Sequence, residues 1–377
     1  MCKLTLSCGI CYLDKRFLTA SYPMFRLHFE NQVYSLAEDF EVNPKELPDY
    51  VKAAFSFCKS WLIGEKTFSQ STSGSTGIPK QISISREQME ASAKGTGSFF
   101  KTDSNSILLC CLNPAYIAGK MMLVRAMVWN CEIHLVEPSS NPLSKVKSDF
   151  DFVAMVPLQV QASLEDENSL QKLKSIQHLI IGGAPISAKL KANLVENGIK
   201  AWQTFGMTET VSHIALAEIG NKELLYQTLP GVEIGQDSRG ALWIKSEMSG
   251  PDPIQTNDLI ELRSETSFIW LGRVDFVVNS GGIKLFPEHI EQKAEEVIEE
   301  IFPGISYFFF GEKYELLGEK LVLFLETTAS SSRVKILKDR LADVLGKYEL
   351  PKKIYFSPKF ARTESGKINR LHTFNSQ

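Results

Sequence analysis

The sequence predicts an α/β fold, a largely parallel sheet covered by helices and followed by a compact α+β unit. Three observations carry this. Between residues 107 and 204 short apolar runs alternate with helical patterns, as βα units that build a parallel sheet do. From about Ala215 the texture changes to short strands punctuated by Pro230-Gly231, Ser238-Arg239-Gly240 and Gly250-Pro251, turn residues that suit an antiparallel subdomain. After Arg273-Val274-Asp275 the remaining stretch, about a hundred residues, is a normal size for a small domain. The expected division is 1–274 and 275–377.

The elements follow in order. Residues 107–112 read as a buried strand, 119–129 as an apolar helix, 132–136 and 152–156 as strands, and 158–164 as a short helix. Residues 178–181 are a strand ending in Gly182-Gly183, 187–196 a helix with Ser187 as N-cap, and 199–204 another strand. Ligands of such sheets bind beyond the C-terminal strand ends. The loops Gly182-Gly183-Ala184-Pro185 and Phe205-Gly206-Met207 occupy two of those ends. In the C-terminal part 287–301 is a helix with Pro287 in its first turn and an acidic outer face. Residues 306–310 and 320–325 are strands, and 334–345 is a helix.

Bulk properties bound the function. The chain has 377 residues, 44% of them hydrophobic and 23% charged, with a net charge of -3. That is ordinary for a globular protein and gives no polyanion-binding signal, so no nucleic-acid partner is expected. No apolar run is long enough to span a bilayer, and no signal-peptide core is evident, so the expected location is cytoplasmic. All seven cysteines lie between Cys2 and Cys131. Cys8 and Cys11 have the spacing of half a zinc site, but no second pair matches it, and reduced thiols are the expectation.

Chemistry is concentrated first in Ser71-Thr72-Ser73-Gly74-Ser75-Thr76-Gly77-Ile78-Pro79-Lys80. Glycines let backbone N–H groups turn onto an anion, hydroxyls add donors, and the lysine adds a positive charge. This is a polyphosphate cradle. It is not a Walker A loop, because Pro79 precedes Lys80, Gln81 follows it, and residues 81–85 alternate like a strand where a helix should start. The competing reading is a Ser/Gly surface loop.

Further motifs stand in order behind it: Thr204-Phe205-Gly206-Met207-Thr208-Glu209, Thr256-Asn257-Asp258, Gly272-Arg273-Val274-Asp275, Ser280-Gly281-Gly282 and Arg362-Thr363-Glu364-Ser365-Gly366-Lys367-Ile368. With the cradle, over roughly residues 70 to 370, these resemble the core motifs of the adenylate-forming superfamily of acyl-CoA synthetases, luciferases and adenylation domains. Motifs that are weak singly become specific in this order.

The resemblance implies an adenylate-forming fold with a mobile C-terminal domain, ATP and Mg2+ as cofactors, and coenzyme A as co-substrate. It places Thr72, Ser73, Gly74, Ser75, Thr76, Gly77 and Lys80 on the β- and γ-phosphates, and Thr208 on the α-phosphate. Glu209 would hold Mg2+, which wants oxygen ligands. Gly183, Ala184 and Pro185 would border the adenine, with Phe205 and Gly206 beside it. Asp258 would accept the ribose hydroxyls with Arg273 assisting. Lys367 would offset the charge that builds between acid and phosphate. Asp275 would be the hinge, and Ser280, Gly281 and Gly282 would line a pantetheine channel. Taken singly, Glu209 also reads as a helix-start acid, Asp258 as a turn cap and Lys367 as a surface lysine.

Some positions depart from the family pattern. Phe205 replaces a usual tyrosine, keeping stacking and losing a hydroxyl. Asn257 replaces a glycine, and Asn279 stands where lysine is common. The cradle begins at Ser71, earlier than in most relatives, so the part before it is expected to be abbreviated.

The segment Asn113-Pro114-Ala115-Tyr116-Ile117-Ala118-Gly119, with Leu123 and Arg125, is similar to that of the o-succinylbenzoate–CoA ligase family of menaquinone biosynthesis, as is Ala154-Met155-Val156-Pro157-Leu158-Gln159. There Tyr116 replaces a frequent histidine. A dianionic aromatic acid calls for an arginine or polar donors besides Lys367. Arg125 is the candidate, its alternative being a solvent-facing helix arginine. Ser212 and His213 are the other acyl-pocket candidates, with His213 equally readable as a plain strand residue.

The activity that the resemblance implies is ATP-dependent activation of a carboxylate as acyl-AMP and its transfer to CoA, with o-succinylbenzoate the expected acid. The alternatives are another aryl or fatty acyl-CoA ligase, an adenylation enzyme loading a carrier protein, and a non-catalytic nucleotide or acyl binder. Lys367→Ala is expected to cut acid-dependent pyrophosphate release about a hundredfold or more. Thioester formation from supplied acyl-AMP should survive; equal loss of both steps would contradict the assigned role.

Overall fold

In the computed structural model the described residues are 24–41, 47–71, 81–328, 331–362 and 368–376. Strands β1 (Arg26–Phe29) and β2 (Gln32–Tyr34) form a hairpin, and α1 (Asp49–Leu62) follows. β3 (Thr67–Ser71) and β4 (Gln81–Ser85) pair as a separate ribbon from Thr67↔Ser85 to Ser71↔Gln81. The ribbon brackets the cradle from both sides, and the alternation at 81–85 does mark a strand. Its exit enters α2 (Arg86–Phe100) through a capping box. Ser85 Oγ accepts from the Gln88 amide at 3.2 Å, and Gln88 Oε1 accepts from the Ser85 amide at 2.9 Å, so two otherwise orphan donors are satisfied.

The βα units come next: β5 (Ile107–Cys110), α3 (Ile117–Trp129), β6 (Glu132–Leu135), β7 (Phe152–Met155), α4 (Pro157–Leu164), α5 (Glu167–Ser175), β8 (His178–Ile181), α6 (Ala188–Glu196) and β9 (Ala201–Gly206). Ser187 caps α6 as expected, its hydroxyl accepting from the Leu190 amide at 3.1 Å. Then come β10 (His213–Glu218), β11 (Tyr226–Thr228), β12 (Glu233–Gln236), β13 (Ala241–Lys245), β14 (Ile254–Ser264) and β15 (Ser267–Arg273).

All but β3 and β4 of these strands lie in one 13-stranded sheet, in the order β12-β13-β14-β15-β11-β10-β9-β8-β7-β5-β6-β1-β2. Its strands from β1 through β9 pair in parallel, and from β9 onward the pairing is antiparallel. The expected antiparallel subdomain is therefore not a separate unit. β10 hydrogen-bonds directly to β9, with Leu216 opposite Thr204, and carries the sheet onward.

Alternate residues of the parallel strands feed two cores. Leu108, Ile133, Phe152 and Ile180 face one side; Leu109, Val153, Leu179 and Ala201 face the other. This is the two-sided burial of a helix-covered parallel sheet.

Beyond Arg273 a second sheet begins, of β16 (Val278–Ser280), β17 (Ile283–Leu285), β18 (Tyr307–Tyr314), β19 (Gly318–Leu325) and β20 (Lys353–Phe356). Helices α7 (Pro287–Ile301) and α8 (Ser331–Val344) accompany it, with α9 (Arg370–Asn375) last. Its cores are its own: Ile290, Val297, Phe309, Leu323 and Leu341 on one side, Phe308, Phe324 and Phe360 on the other. Among the described residues no helix is long and apolar enough to cross a membrane.

Gly119, in the first turn of α3, seats that helix against the loop after β5. A Cβ there would lie 2.5 Å from the carbonyl oxygen of Asn113 and 2.6 Å from that of Leu112. Helix propensity alone makes Gly→Ala favourable by about 1 kcal/mol. Backbone contact reverses the sign, and Gly119→Ala is expected to destabilise by about 1–3 kcal/mol, read as a lower midpoint in thermal unfolding.

Candidate active site

The loops at the C-terminal ends of β7, β8 and β9 meet. Gly183, at φ +84°, stands where a Cβ would be 3.4 Å from Val156 Cγ1. Ala184 and Pro185 beside it are exposed. Phe205 packs edge-on to Tyr226 at 5.6 Å and to Phe268 at 5.2 Å. Its ring therefore belongs to an aromatic group joining the two halves of the sheet.

The segment between β9 and β10 is a tight return. Residues Thr208–Thr210 form one 3-10 turn. Val211 follows at φ +65°, ψ -51°, and the Ser212 amide donates to the Thr210 carbonyl at 2.6 Å. A β-branched residue at positive φ in a three-residue turn is strained. Gly206 faces this return so closely that a Cβ would collide with the Ser212 carbonyl and with His213 Cα. The result projects Glu209 into solvent and turns Ser212 and His213 inward. Glu209 makes no hydrogen bond or ion pair among the described residues, and an exposed carboxylate of this kind fits Mg2+, which keeps several waters and needs few protein oxygens. Thr208 is half-buried beside it.

Inward lies a chain of polar groups around Arg125. This residue is 1% exposed, so it is not the solvent-facing helix arginine that the sequence also allowed. Its Nη2 donates to Ser212 Oγ at 3.1 Å. Ser212 Oγ lies 3.3 Å from His213 Nδ1, His213 Nε2 lies 3.2 Å from Thr96 Oγ1, and Thr96 donates to the Ser92 carbonyl at 3.0 Å. Because the Thr96 hydrogen is committed, His213 Nε2 carries the proton, and Nδ1 accepts from Ser212. His213 is buried, and burial, with Arg125 adding to it, holds its pKa well below the usual value; it is neutral at pH 7.

Arg125 itself has no carboxylate partner among the described residues. Nη1 reaches only Met122 Sδ at 3.6 Å, and Nε is buried without a partner. Burial lowers its pKa to about 10, so it remains a cation at neutral pH. Tyr116 is not part of this group: it precedes α3, is 68% exposed, and lies about 13 Å along the helix axis from Arg125.

On the antiparallel half Asp258 and Arg273 face each other across β14 and β15. Trp270 Nε1 donates to Asp258 Oδ1 at 3.0 Å, while Arg273 Nη1 stays 3.9 Å away. Burial raises the Asp258 pKa, and the Trp270 bond and Arg273 only partly oppose it. Arg273 instead donates to Asp275 Oδ2 at 3.2 Å, on the turn that leaves the large sheet. Ser280, Gly281 and Gly282 form the β16–β17 turn, with both glycines at positive φ. The Gly281 amide donates to the Leu317 carbonyl at 2.9 Å. Leu317 also lines a groove of about 460 Å³ with Tyr314, Leu316, Lys320, Lys352 and Lys353.

Thr72, Ser73, Gly74, Ser75, Thr76, Gly77, Lys80 and Lys367 lie outside the described residues, as do Cys8 and Cys11. The flanks of Lys367 are fixed, however. Arg362 and Ile368 form an antiparallel bridge, Arg362 pairs with Glu326 at 2.6 Å, and Arg370 forms a bidentate pair with Glu291 at 2.8 and 2.9 Å. Trp270, Thr96 and the groove lysines were not singled out from sequence. Their partners are distant in the chain, and only Trp270, alternating with the strand pattern, carried a local signal.

Comparison with known proteins closes the question of family. A family model described as AMP-binding enzyme matches residues 67–235. A solved structure of an acyl-CoA synthetase (AMP-forming)/AMP-acid ligase II-like protein from Dyadobacter fermentans is 37% identical, covering 91% of this chain and 98% of its own, with a TM-score of 0.62. The chain belongs to the AMP-binding enzyme family. Its fold is the adenylate-forming one, and an O-succinylbenzoate coenzyme A synthetase from Bacillus subtilis, solved with ATP and magnesium, superposes with a TM-score of 0.64 at 20% identity over 81% of this chain and 69% of its own. Among curated relatives, the 2-succinylbenzoate–CoA ligases of Enterococcus faecalis and Haemophilus influenzae are 25% and 28% identical over 81% and 79% of the chain. The matched region spans 68% of each of those relatives.

Asp258 offers a test in which stability and nucleotide binding part ways. Its pKa is raised in the fold, so its charge is a cost that is present above the carboxylate range and absent once both states are protonated. Asp258→Asn is expected to raise the thermal midpoint at pH 7, with the gain vanishing as pH falls through that range. KM for ATP should rise about tenfold or more with the lost charged acceptor. A lower midpoint together with an unchanged KM would contradict both roles.

Proposed function

We propose that the chain is an ATP- and Mg2+-dependent acid–thiol ligase that converts o-succinylbenzoate to its CoA thioester for menaquinone biosynthesis in the cytoplasm. The observation that carries the substrate is Arg125. A buried guanidinium without an anionic partner among the described residues is costly to hold, and a fixed carboxylate of the substrate supplies the missing charge. A dicarboxylic acid provides one carboxylate to be activated and a second to be held. The names of the curated relatives point to the same acid.

In the first step the substrate carboxylate attacks the α-phosphorus and pyrophosphate leaves. In the second a thiolate attacks the acyl carbonyl and AMP leaves. Mg2+, held by Glu209, would neutralise charge on the phosphates. The chain's own contributions are assigned from the order of its motifs. Thr72 to Gly77 and Lys80 cradle the β- and γ-phosphates, and Thr208 contacts the α-phosphate. Gly183, Ala184, Pro185, Phe205 and Gly206 border the base, and Asp258 with Arg273 hold the ribose. Lys367 neutralises charge during adenylation.

The boundary between 274 and 275 then separates two domains, with Asp275 as the hinge of a swing that replaces Lys367 by the Ser280-Gly281-Gly282 turn. In that orientation the turn lines the pantetheine path. The neighbouring groove, with Lys320, Lys352 and Lys353 on its walls, suits the phosphates at the far end of CoA.

The test compares o-succinylbenzoate with 4-oxo-4-phenylbutanoate, which lacks the ring carboxylate, in Arg125→Met and wild-type protein. Loss of the guanidinium is expected to raise KM for the dicarboxylate about tenfold to a hundredfold, leave the monocarboxylate nearly unchanged, and stabilise the free protein. Wild-type turnover of benzoates with none of o-succinylbenzoate would sink the substrate. Absence of pyrophosphate release with any acid would sink the ligase.

A further inference from the structure

We infer a transition-metal site, distinct from the Mg2+ position, formed by His28, Glu132 and His134 near the edge of the large sheet. β1 and β6 are parallel neighbours with His28 opposite His134, and Glu132, two residues before His134, points to the same face. The two imidazoles stack with centroids 4.6 Å apart and planes 6° from parallel. Nε2 of each lies near one oxygen, His134 hydrogen-bonded at 2.8 Å and His28 at 3.4 Å from Glu132 Oε1. All three donor atoms lie within 4.8 Å of one another. Donors bound to tetrahedral zinc at about 2.0–2.1 Å sit about 3.3 Å apart, close to the spacing already present.

Two further observations favour a metal over a simple hydrogen-bonded trio. His28 Nε2 is shut off from solvent and makes no hydrogen bond among the described residues, although it lies 3.4 Å from the carboxylate. Arg26 takes the other carboxylate oxygen, Oε2, at 3.1 Å, which fixes Glu132 and leaves Oε1 turned to the two imidazoles. The side chains remain 20–26% exposed, so the trio lies within reach of an ion from solvent. Two imidazoles and a carboxylate suit Zn2+ and its first-row neighbours rather than Mg2+. The metal would clip the β1–β2 hairpin to β6, closing a long stretch of chain, which is where a cross-link stabilises most.

The test titrates Zn2+ into the full-length protein against a chromophoric chelator, with thermal melts in parallel. Wild type is expected to bind one equivalent and to gain about 2 °C or more at Zn2+ a hundredfold above its Kd, with millimolar Mg2+ having no effect. His28→Ala and Glu132→Gln should each weaken binding at least about tenfold and lose the Zn2+-dependent gain while melting normally without metal. Substituted Co2+ should show tetrahedral d–d bands without thiolate charge transfer. Equal Zn2+ affinity in wild type and in the His28→Ala/His134→Ala double variant, or a thiolate band accounting for all bound cobalt, would overturn the site.

Discussion

The tight return from β9 to β10 is the constraint on which the rest of this structure depends. The sheet changes there from parallel to antiparallel without a break in hydrogen bonding. Everything on the parallel side, including the Gly183 loop and α3 with Arg125, is thereby fixed relative to Asp258 and Arg273 on the antiparallel side. The return has little freedom of its own. Gly206 has no room for a side chain, and Val211 is held at positive φ. Such strain persists only where the surroundings over-determine it. Here the surroundings are the β9–β10 ladder on one side and the Arg125–Ser212–His213–Thr96 chain on the other.

Arg125 and Asp258 illustrate one physical situation with opposite signs. Each is an ionised group that the fold buries without an adequate counter-charge among the described residues: Arg125 against a hydroxyl, a thioether and the Phe152 ring, Asp258 against an indole N–H with Arg273 held off. Each is stabilised by whatever brings the missing charge or hydrogen bonds. Groups of this kind cluster at functional sites because a preorganised polar group in a dry setting binds its ligand more strongly than one that must first shed water.

Local order was well marked in the sequence. The Ser187 cap, the strand at 178–181 and the helix at 287–301 were legible because each rests on near neighbours: a hydroxyl and an amide three residues on, a short apolar run, a proline in the first turn. The texture change near Ala215 was also real, but its meaning was not, since which strand pairs with β9 is settled by partners far along the chain. Arg125 admitted two readings, although a signal was present. Residues 117–129 are apolar on nearly every side, and a helix of that kind is buried all round, its one arginine included. His28, Glu132 and His134 could not be grouped from sequence at all. Register between β1 and β6 brings them together, and nothing local encodes it.

Strand order in the large sheet has a bearing on how the chain acquires this shape during synthesis. From β5 onward most strands join beside one made shortly before, so assembly by local addition is favoured over distant search. β11 interrupts the sequence, because it lies between β10 and β15. The meander β12–β13–β14–β15 is built of successive antiparallel neighbours and can close on itself before docking through β15 onto β11. Asp258 and Arg273 are therefore paired within the meander itself, whatever the state of the parallel half. The parallel half, with its buried arginine, is built from its own βα units, so each side of the cleft has its own set of local contacts.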